Sequence, residues 1–287
     1  MKKLYRLRAA SLAAALALTL SGCSSADTQP ADSSRSETVI EKLFGKAGER
    51  TQGEVEAELD LSALSTEKHG YGQGVQLDGE NRPLGAIQFN DEYGRFSAAA
   101  IDPGDSKTIR LTFDEGYENG YTPAILDALK ERGVKATFFV LEDYARKEPE
   151  LVQRMIDEGH TVGNHSVHHY SMPDLSAEEC REEIMGLHSY ILDEFGYEMT
   201  LFRPPMGEFS EQSLAVARDC GYETLLWSFA YADWDVNSQP PEGESLERLE
   251  KALHSGAVYL LHPVSSTNAA ILGDFIDYAL ALGYEFL

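Results

Sequence analysis

The chain has 287 residues, 43% of them hydrophobic, and a formal net charge of -24 at pH 7. This length and apolar content are enough for one sizeable hydrophobic core or two small ones, which excludes a chain that is disordered throughout. A surface this acidic repels phosphate backbones, so nucleic acid is excluded as a partner.

Residues 1–23 have the pattern of a lipoprotein signal peptide. Basic residues come first, and an apolar run at residues 9–20 follows that is too short for a comfortable membrane span. The sequence Leu-Ser-Gly-Cys then resembles a lipobox, in which Cys23 becomes the lipid-modified first residue of the mature chain. We therefore expect an extracytoplasmic protein, lipid-anchored to the outer face of the bacterial cell membrane. A plain secretory signal with an incidental cysteine is the alternative.

Residues 24–106 are predicted to precede the main domain in two parts. Residues 24–65 form a tether and a weakly patterned segment, because Ser, Asp, Thr and Pro dominate its beginning without apolar periodicity. Residues 66–106 form an N-terminal extension in which apolar stretches at 85–89 and 96–101 flank Asp91-Glu92-Tyr93-Gly94. Two apolar stretches around a turn predict a β-hairpin.

From residue 107 to the end, the chain repeats a strand, a loop, a helix and a closing glycine. Pro123 in the first turn of one helix and a capping box of Ser176 with Glu179 in another mark helix starts. The predicted strands lie at residues 109–113, 136–140, 161–164, 199–203, 223–228 and 257–261 and at the end of the chain. Seven strands are one short of a closed (β/α)8 barrel, so we predict an α/β fold with a distorted (β/α)7 barrel. An open doubly wound sheet is the alternative, which the lack of a glycine-rich phosphate loop weakens.

Polar residues recur just after the predicted strands, where barrels of this kind build active sites. Any one of them has an ordinary explanation as a helix cap, a solvated loop residue or a surface ion pair. Their joint occurrence on one rim indicates a site, formed by Asp114, Glu115, His165, His169, Arg203, Asp233, Trp234 and His262.

Two of these histidines have the spacing of a metal site. His165 and His169 are four residues apart, which one helical turn would bring to the same side, although His168 is also available. Glu115 or Asp114 can supply a carboxylate ligand. Such a site activates water for hydrolysis, so we expect one divalent metal, zinc in the first place, with manganese or cobalt as alternatives.

These residues resemble the polysaccharide deacetylases of carbohydrate esterase family 4 over about residues 107–287. The shared motifs, in the family's order, are Thr112-Phe-Asp-Glu-Gly116, His165-Ser-Val-His-His169, Arg203-Pro-Pro-Met-Gly207, Asp233-Trp234 and Leu260-Leu-His262. The resemblance implies a distorted (β/α)7 barrel and a metal-dependent hydrolase that removes acetyl groups from a sugar polymer.

The resemblance also implies a role for each motif residue. Asp114 would be the base that activates water, and Arg203 would orient it. His165 and His169 would bind the metal, and His262, tuned by Asp233, would be the acid that protonates the leaving amine. The remaining implied residues line the pocket for the acetyl methyl group and are Trp234 and Leu260.

Two departures from the family pattern bear on the metal and the substrate. Glu115 stands where most members have an aspartate ligand, and Ala230 replaces the usual first aspartate of the fourth motif. Both departures, together with the sequence of residues 113–123, resemble the subgroup that deacetylates N-acetylmuramic acid for δ-lactam formation in spore cortex. We therefore expect a cell-wall glycan substrate, with N-acetylmuramic acid favoured over N-acetylglucosamine. Chitooligosaccharide deacetylase, acetylxylan esterase and a catalytically inactive wall-binding lipoprotein are the alternatives.

Three further residues are candidates for substrate contacts. Tyr117 and Asn119 follow the base on a loop, where they either reach the sugar or belong to a turn that packs locally. Pro205 of the third motif is the third candidate. Cys180 and Cys220 lie in predicted helices, so disulfides are not the framework of the fold. We also expect the protein to be a monomer.

Overall fold

The computed structural model describes residues 60–104 and 106–287. The predicted signal peptide, the lipidation site Cys23 and most of the predicted tether lie outside the described residues. Within the described ranges, no helix combines the length and the apolar character needed to cross a membrane.

The strands of the described residues form one large curled parallel sheet and one small antiparallel pair. In chain order they are β1 His69–Gly70, β2 Ala98–Ala99, β3 Thr108–Glu115, β4 Thr137–Val140, β5 Thr161–Asn164, β6 Leu201–Phe202, β7 Glu208–Phe209, β8 Glu223–Leu225, β9 Phe229–Ala230, β10 Ala257–Leu261 and β11 Glu285–Phe286. The large sheet has the order β2-β8-β6-β5-β4-β3-β10-β9, and β11 pairs with the start of β3. Strands β1 and β7 form the small pair. The seven predicted strands are all present, and the half-barrel confirms the predicted α/β barrel fold.

Helices connect the parallel strands, as a barrel of this type requires. They are α1 Leu84–Tyr93, α2 Thr122–Arg132, α3 Glu142–Lys147, α4 Pro149–Asp157, α5 Ala177–Phe195, α6 Glu211–Asp219, α7 Glu242–Lys251 and α8 Ser266–Ala281. The capping box of Ser176 and Glu179 begins α5 as predicted, and Gly133 ends α2 at φ 66°. Pro123 lies in the first turn of α2 as predicted.

Hydrophobic cores lie on both faces of the large sheet, one under the connecting helices and the other under the N-terminal extension. Strand β3 is buried from Ile109 to Glu115, which is typical of a central parallel strand. Phe113 stacks on Phe138 of β4 in the core under the helices, with ring centroids 5.1 Å apart. A second core, which includes Phe89, Phe209 and Trp227, lies under the N-terminal extension.

The predicted β-hairpin of the extension is wrong. Residues 84–93 form α1, in which the buried residues Ala86, Phe89 and Tyr93 recur at helical spacing and pack on Phe209. Of the second stretch, only Ala98–Ala99 is a strand, and it joins the edge of the large sheet beside β8. The extension is therefore part of the barrel and its second core, not a separate hairpin beside it.

Candidate active site

The carboxyl ends of the central strands open into one cavity of about 560 Å³. Because parallel strands end at the same rim, residues far apart in the chain meet there. The cavity is lined by Tyr71, Gly72, Gln73, Asp114, His165, His169, Met206, Gly207, Trp227, Ala230, Tyr231, Ala232, Trp234, Leu260 and His262. Four of the five predicted motifs thus contribute a predicted site residue to one cavity, and the third motif contributes Met206 and Gly207.

Asp114 is held by a fully buried arginine. Nη1 of Arg203 donates a hydrogen bond of 2.8 Å to Oδ1 of Asp114 and another of 2.8 Å to Thr112 Oγ1. The other guanidinium nitrogens donate to the carbonyl oxygens of Leu225 and Leu226, so the arginine cannot turn away. Burial alone would raise the pKa of Asp114, but the charge and hydrogen bond of Arg203, together with His165 and His262, outweigh it and lower the pKa below its usual value. Asp114 is therefore an ionised carboxylate at neutral pH, which a base requires.

The two predicted metal histidines lie beside Asp114 with their rings close together. Their ring centroids are 5.0 Å apart, and Nε2 of His165 is 3.7 Å from Oδ2 of Asp114. His165 Nδ1 is 2.8 Å from the carbonyl oxygen of Arg203. Since a carbonyl oxygen only accepts, Nδ1 carries the proton and Nε2 keeps its lone pair.

The loop after β5 explains how both rings reach the cavity. Ser166 and His169 have φ values of 76° and 61°, in the left-handed region, so the loop is a tight turn rather than a helix. The side chain of Asn164 accepts from Ser166 N, and Ser166 Oγ accepts from His169 N. His168 points elsewhere, with Nδ1 2.6 Å from Glu183. Of the three histidines of this motif, His165 and His169 therefore line the cavity and His168 does not.

Both rings have the protonation state of metal ligands. Burial lowers the pKa of His165 to about 4, and it lowers the pKa of His169 as well. Neutral imidazoles are the form that binds a divalent metal. The donor set at the cavity therefore fits a metal with two imidazole ligands.

The predicted third ligand, Glu115, does not belong to this cavity. Successive side chains of a strand point to opposite faces, so Glu115 faces away from the side of β3 that carries Asp114. It is fully buried. Burial and the charge of Glu118 raise its pKa well above the usual value, although Tyr144 opposes this rise. Among residues 60–104 and 106–287, no group of three or more histidine, cysteine and acidic side chains is arranged to hold a metal.

His262 lines the same cavity and is paired with a buried carboxylate. Its Nδ1 is 2.7 Å from Oδ1 of Asp233, and its backbone N–H donates to Oδ2 at 2.9 Å. Burial alone would lower the pKa of His262, but the hydrogen bond and charge of Asp233 outweigh it and raise the pKa above its usual value. The ring is therefore well suited to hold a proton that it can donate.

The predicted substrate contacts divide into two groups. Trp234 and Leu260 line the cavity, and Trp234 is 56% exposed with its ring 5.7 Å from that of His262. Tyr117, Asn119 and Pro205 do not line it. The side chain of Asn119 donates to the carbonyl oxygen of Val264, which agrees with the local turn that the sequence left open.

One wall of the cavity comes from a segment with no predicted function. The hydroxyl of Tyr71 donates to the carbonyl oxygen of Trp227 at 2.6 Å. Trp227 Nε1 in turn donates to Oε1 of Gln73 at 3.0 Å. Residues 71–73 precede the barrel and match no motif, so no sequence signal could have identified them.

The chain is similar to known polysaccharide deacetylases. Residues 102–225 match the family model described as polysaccharide deacetylase. The chain is 40% identical over 205 residues to the peptidoglycan-N-acetylmuramic acid deacetylase PdaA of Bacillus subtilis, over 71% of this chain and 78% of PdaA. It is 36% identical over 182 residues to the peptidoglycan-N-acetylglucosamine deacetylase PgdA of Listeria monocytogenes, over 63% of this chain and 38% of PgdA.

The fold is also similar to that of a solved relative. The structure of Bacillus subtilis PdaA, described as a family 4 carbohydrate esterase, superposes with a TM-score of 0.74 at 37% identity. The superposition covers 78% of this chain and 95% of that chain.

Proposed function

This chain belongs to the polysaccharide deacetylase family, and on that premise we propose that it hydrolyses the N-acetyl group of a peptidoglycan amino sugar and releases acetate. The proposal depends on one observation: an ionised carboxylate, Asp114, and a proton-holding imidazole, His262, line the same cavity as a pair of neutral histidines. Amide hydrolysis needs such a base and such an acid together.

In the proposed reaction, the protein's own residues move two protons. Asp114 takes a proton from water as the water oxygen bonds to the acetyl carbonyl carbon. Arg203 keeps Asp114 ionised and oriented before the attack. The carbon–nitrogen bond then breaks while His262 gives its proton to the departing amine, which is a poor leaving group without it. Trp234 and Leu260 enclose the acetyl methyl group.

A divalent metal held by His165 and His169, zinc in the first place and manganese or cobalt as alternatives, would polarise the acetyl carbonyl and acidify the attacking water. With two protein ligands rather than three, we expect a metal affinity below that of a site with an additional carboxylate. The nitrogen lone pairs of both rings are free for this role because both imidazoles are neutral.

We favour N-acetylmuramic acid as the substrate. The chain covers 78% of PdaA, which bears that specificity in its name, but only 38% of PgdA, which is named for N-acetylglucosamine. Glu115 and Ala230, the two departures from the family pattern, favour the same subgroup. N-acetylglucosamine strands and chitooligosaccharides remain the alternatives.

A cell-wall substrate also supports an extracytoplasmic location. We propose that Cys23 carries the lipid that keeps the enzyme at the outer face of the membrane, and that the enzyme acts as a monomer. Growth with a labelled fatty acid checks the anchor: the label enters the wild-type protein and not the Cys23→Ala variant.

The experiment that tests the activity is acetate release by the purified protein on defined glycan strands, with and without stem peptides. The protein is first treated with a chelator and then supplied with zinc, manganese or cobalt. Mass spectrometry locates the loss of the acetyl group on muramic acid or on glucosamine. We expect metal-restored release from muramic acid, and release from glucosamine alone would reject the favoured substrate.

A further inference from the structure

The pair of His262 and Asp233 depends on how the buried carboxylate is held. Asp233 is 1% exposed, so its charge receives almost no help from water. A buried carboxylate is stable in its ionised form only when hydrogen-bond donors surround it. Two of its donors are the ring and the backbone N–H of His262 itself.

The other side-chain donor is Asn268 in the first turn of α8. Its Nδ2 donates to Oδ2 of Asp233 at 2.6 Å and to the carbonyl oxygen of His262 at 3.2 Å. The backbone N–H of Asn268 donates to Ser265 Oγ, the cap of this helix, so the rigid start of α8 fixes the position of the side chain. Asn268 is 1% exposed and does not line the cavity.

Tyr231 determines which way the amide of Asn268 faces. The hydroxyl of Tyr231 donates to Oδ1 of Asn268. Because Oδ1 can only accept and Nδ2 can only donate, this bond directs Nδ2 towards Asp233. Tyr231 itself lines the cavity, so a chain of three hydrogen bonds runs from the cavity wall through Asn268 and Asp233 back to His262.

We infer that Asn268 is a positioning residue for the proton transfer from His262, and that Tyr231 fixes the orientation of the Asn268 amide. Asn268 holds Asp233 in the rotamer that binds Nδ1–H of His262, which leaves Nε2 of the ring for the departing group. This inference rests on the proposed deacetylation, because only a reaction with a poor leaving group needs that proton.

The test compares two substrates that differ in their need for the proton. An N-acetylated glycan loses an amine that must be protonated, whereas 4-nitrophenyl acetate loses a phenolate that leaves without a proton. Asn268→Leu removes the donor at nearly constant shape, and Tyr231→Phe removes only the hydroxyl that orients it. We expect Asn268→Leu to lower kcat on the glycan about 100-fold, the lower range for general acid catalysis, with KM and ester turnover little changed. Tyr231→Phe should give the same pattern with a smaller loss.

Asn90→Asp is the matched control. The amide of Asn90 also donates to a backbone carbonyl, that of Ile101, but it lies in α1 outside the cavity. We expect it to leave the ratio of glycan to ester turnover unchanged, even if it lowers Tm. If Asn268→Leu does not fold, Tyr231→Phe makes the same comparison.

The possible outcomes separate this inference from the proposed function. Equal losses on glycan and ester in a folded variant, or an unchanged glycan rate, would overturn the role of Asn268. A wild-type protein that cleaves the ester but never the glycan would instead reject the proposed function, and this inference with it.

Discussion

At the scale of the residue, the site depends on opposite environments for two ionisable groups. Arg203 keeps Asp114 ionised, whereas Asp233 keeps His262 protonated, although both groups line one cavity. A pair of groups whose pKa values are pushed apart is what distinguishes an acid from a base in a hydrolase.

Replacement of Asp114 by asparagine tests the base. We expect Asp114→Asn to lower kcat at least about 100-fold, because the amide cannot take a proton from water. Metal binding, measured by calorimetry, should stay, since the two histidines remain. Asp277→Asn, which changes an exposed partner of Arg132, is the control and should keep full activity. Turnover by Asp114→Asn near the wild-type rate would remove Asp114 from the role of base.

Removal of either ring tests the metal site. His165→Ala and His169→Ala should each abolish metal binding and acetate release together, because one imidazole is too few to retain the ion. His168→Ala should preserve both, since that ring pairs with Glu183 instead. A His168→Ala variant that loses the metal would contradict the assignment of the ligand pair.

The pH dependence of kcat/KM follows from the two pKa shifts. Activity needs ionised Asp114, whose pKa is lowered, so it falls on the acid side only as Asp114 or the neutral metal histidines become protonated. Activity also needs protonated His262, whose pKa is raised, so it falls on the alkaline side as pH passes a value above the ordinary one for histidine. In Asp233→Asn, burial is no longer opposed by that charge, and we expect the alkaline limb to move to lower pH. An alkaline limb that does not move would contradict the pairing.

At the scale of the element, strand identity was predictable and side-chain direction was not. The strands, the capping box at Ser176 and the glycine ends of the helices follow from local preferences that the barrel does not oppose. The family resemblance predicts Glu115 as a metal ligand because it stands where most members have an aspartate, yet the pleat of β3 turns it to the other face. The sequence around Gln73 gives no indication that this residue contacts distant parts of the chain at the cavity wall.

Helix α1 shows how a short apolar stretch misleads. Residues 85–89 have the composition of a strand, but Ala86, Phe89 and Tyr93 form one helical face once Phe209 is available to cover it. Tertiary packing decides whether such a stretch forms a strand or a helix.

The contact between α1 and the cavity wall gives a prediction at this scale. A Cβ on Gly85 would lie 2.6 Å from the backbone oxygen of Gln73, so Gly85→Ala must push the segment that lines the cavity. We expect a loss of about 1–3 kcal/mol in the free energy of unfolding, the usual cost of overpacking, and a raised KM for the glycan. Gly94→Ala, where a Cβ meets open space, is the matched control in denaturant titration and kinetics. An unchanged KM in a destabilised Gly85→Ala variant would show that the wall does not contact the substrate.

At the scale of the whole molecule, the described residues form one barrel with one catalytic cavity, and the extension completes its wall. These residues contain a single large parallel sheet. The net charge of -24 disfavours contact with the phosphate backbones of nucleic acids.

Acetate release from glycan strands before and after removal of the metal is the most direct test of the proposed function. We expect release that stops on chelation, returns with zinc, manganese or cobalt, and comes from N-acetylmuramic acid. If no strand releases acetate with any of these metals, the absence of a third ligand at Glu115 would become decisive, and the protein would be a wall-binding lipoprotein that has kept the fold without the reaction.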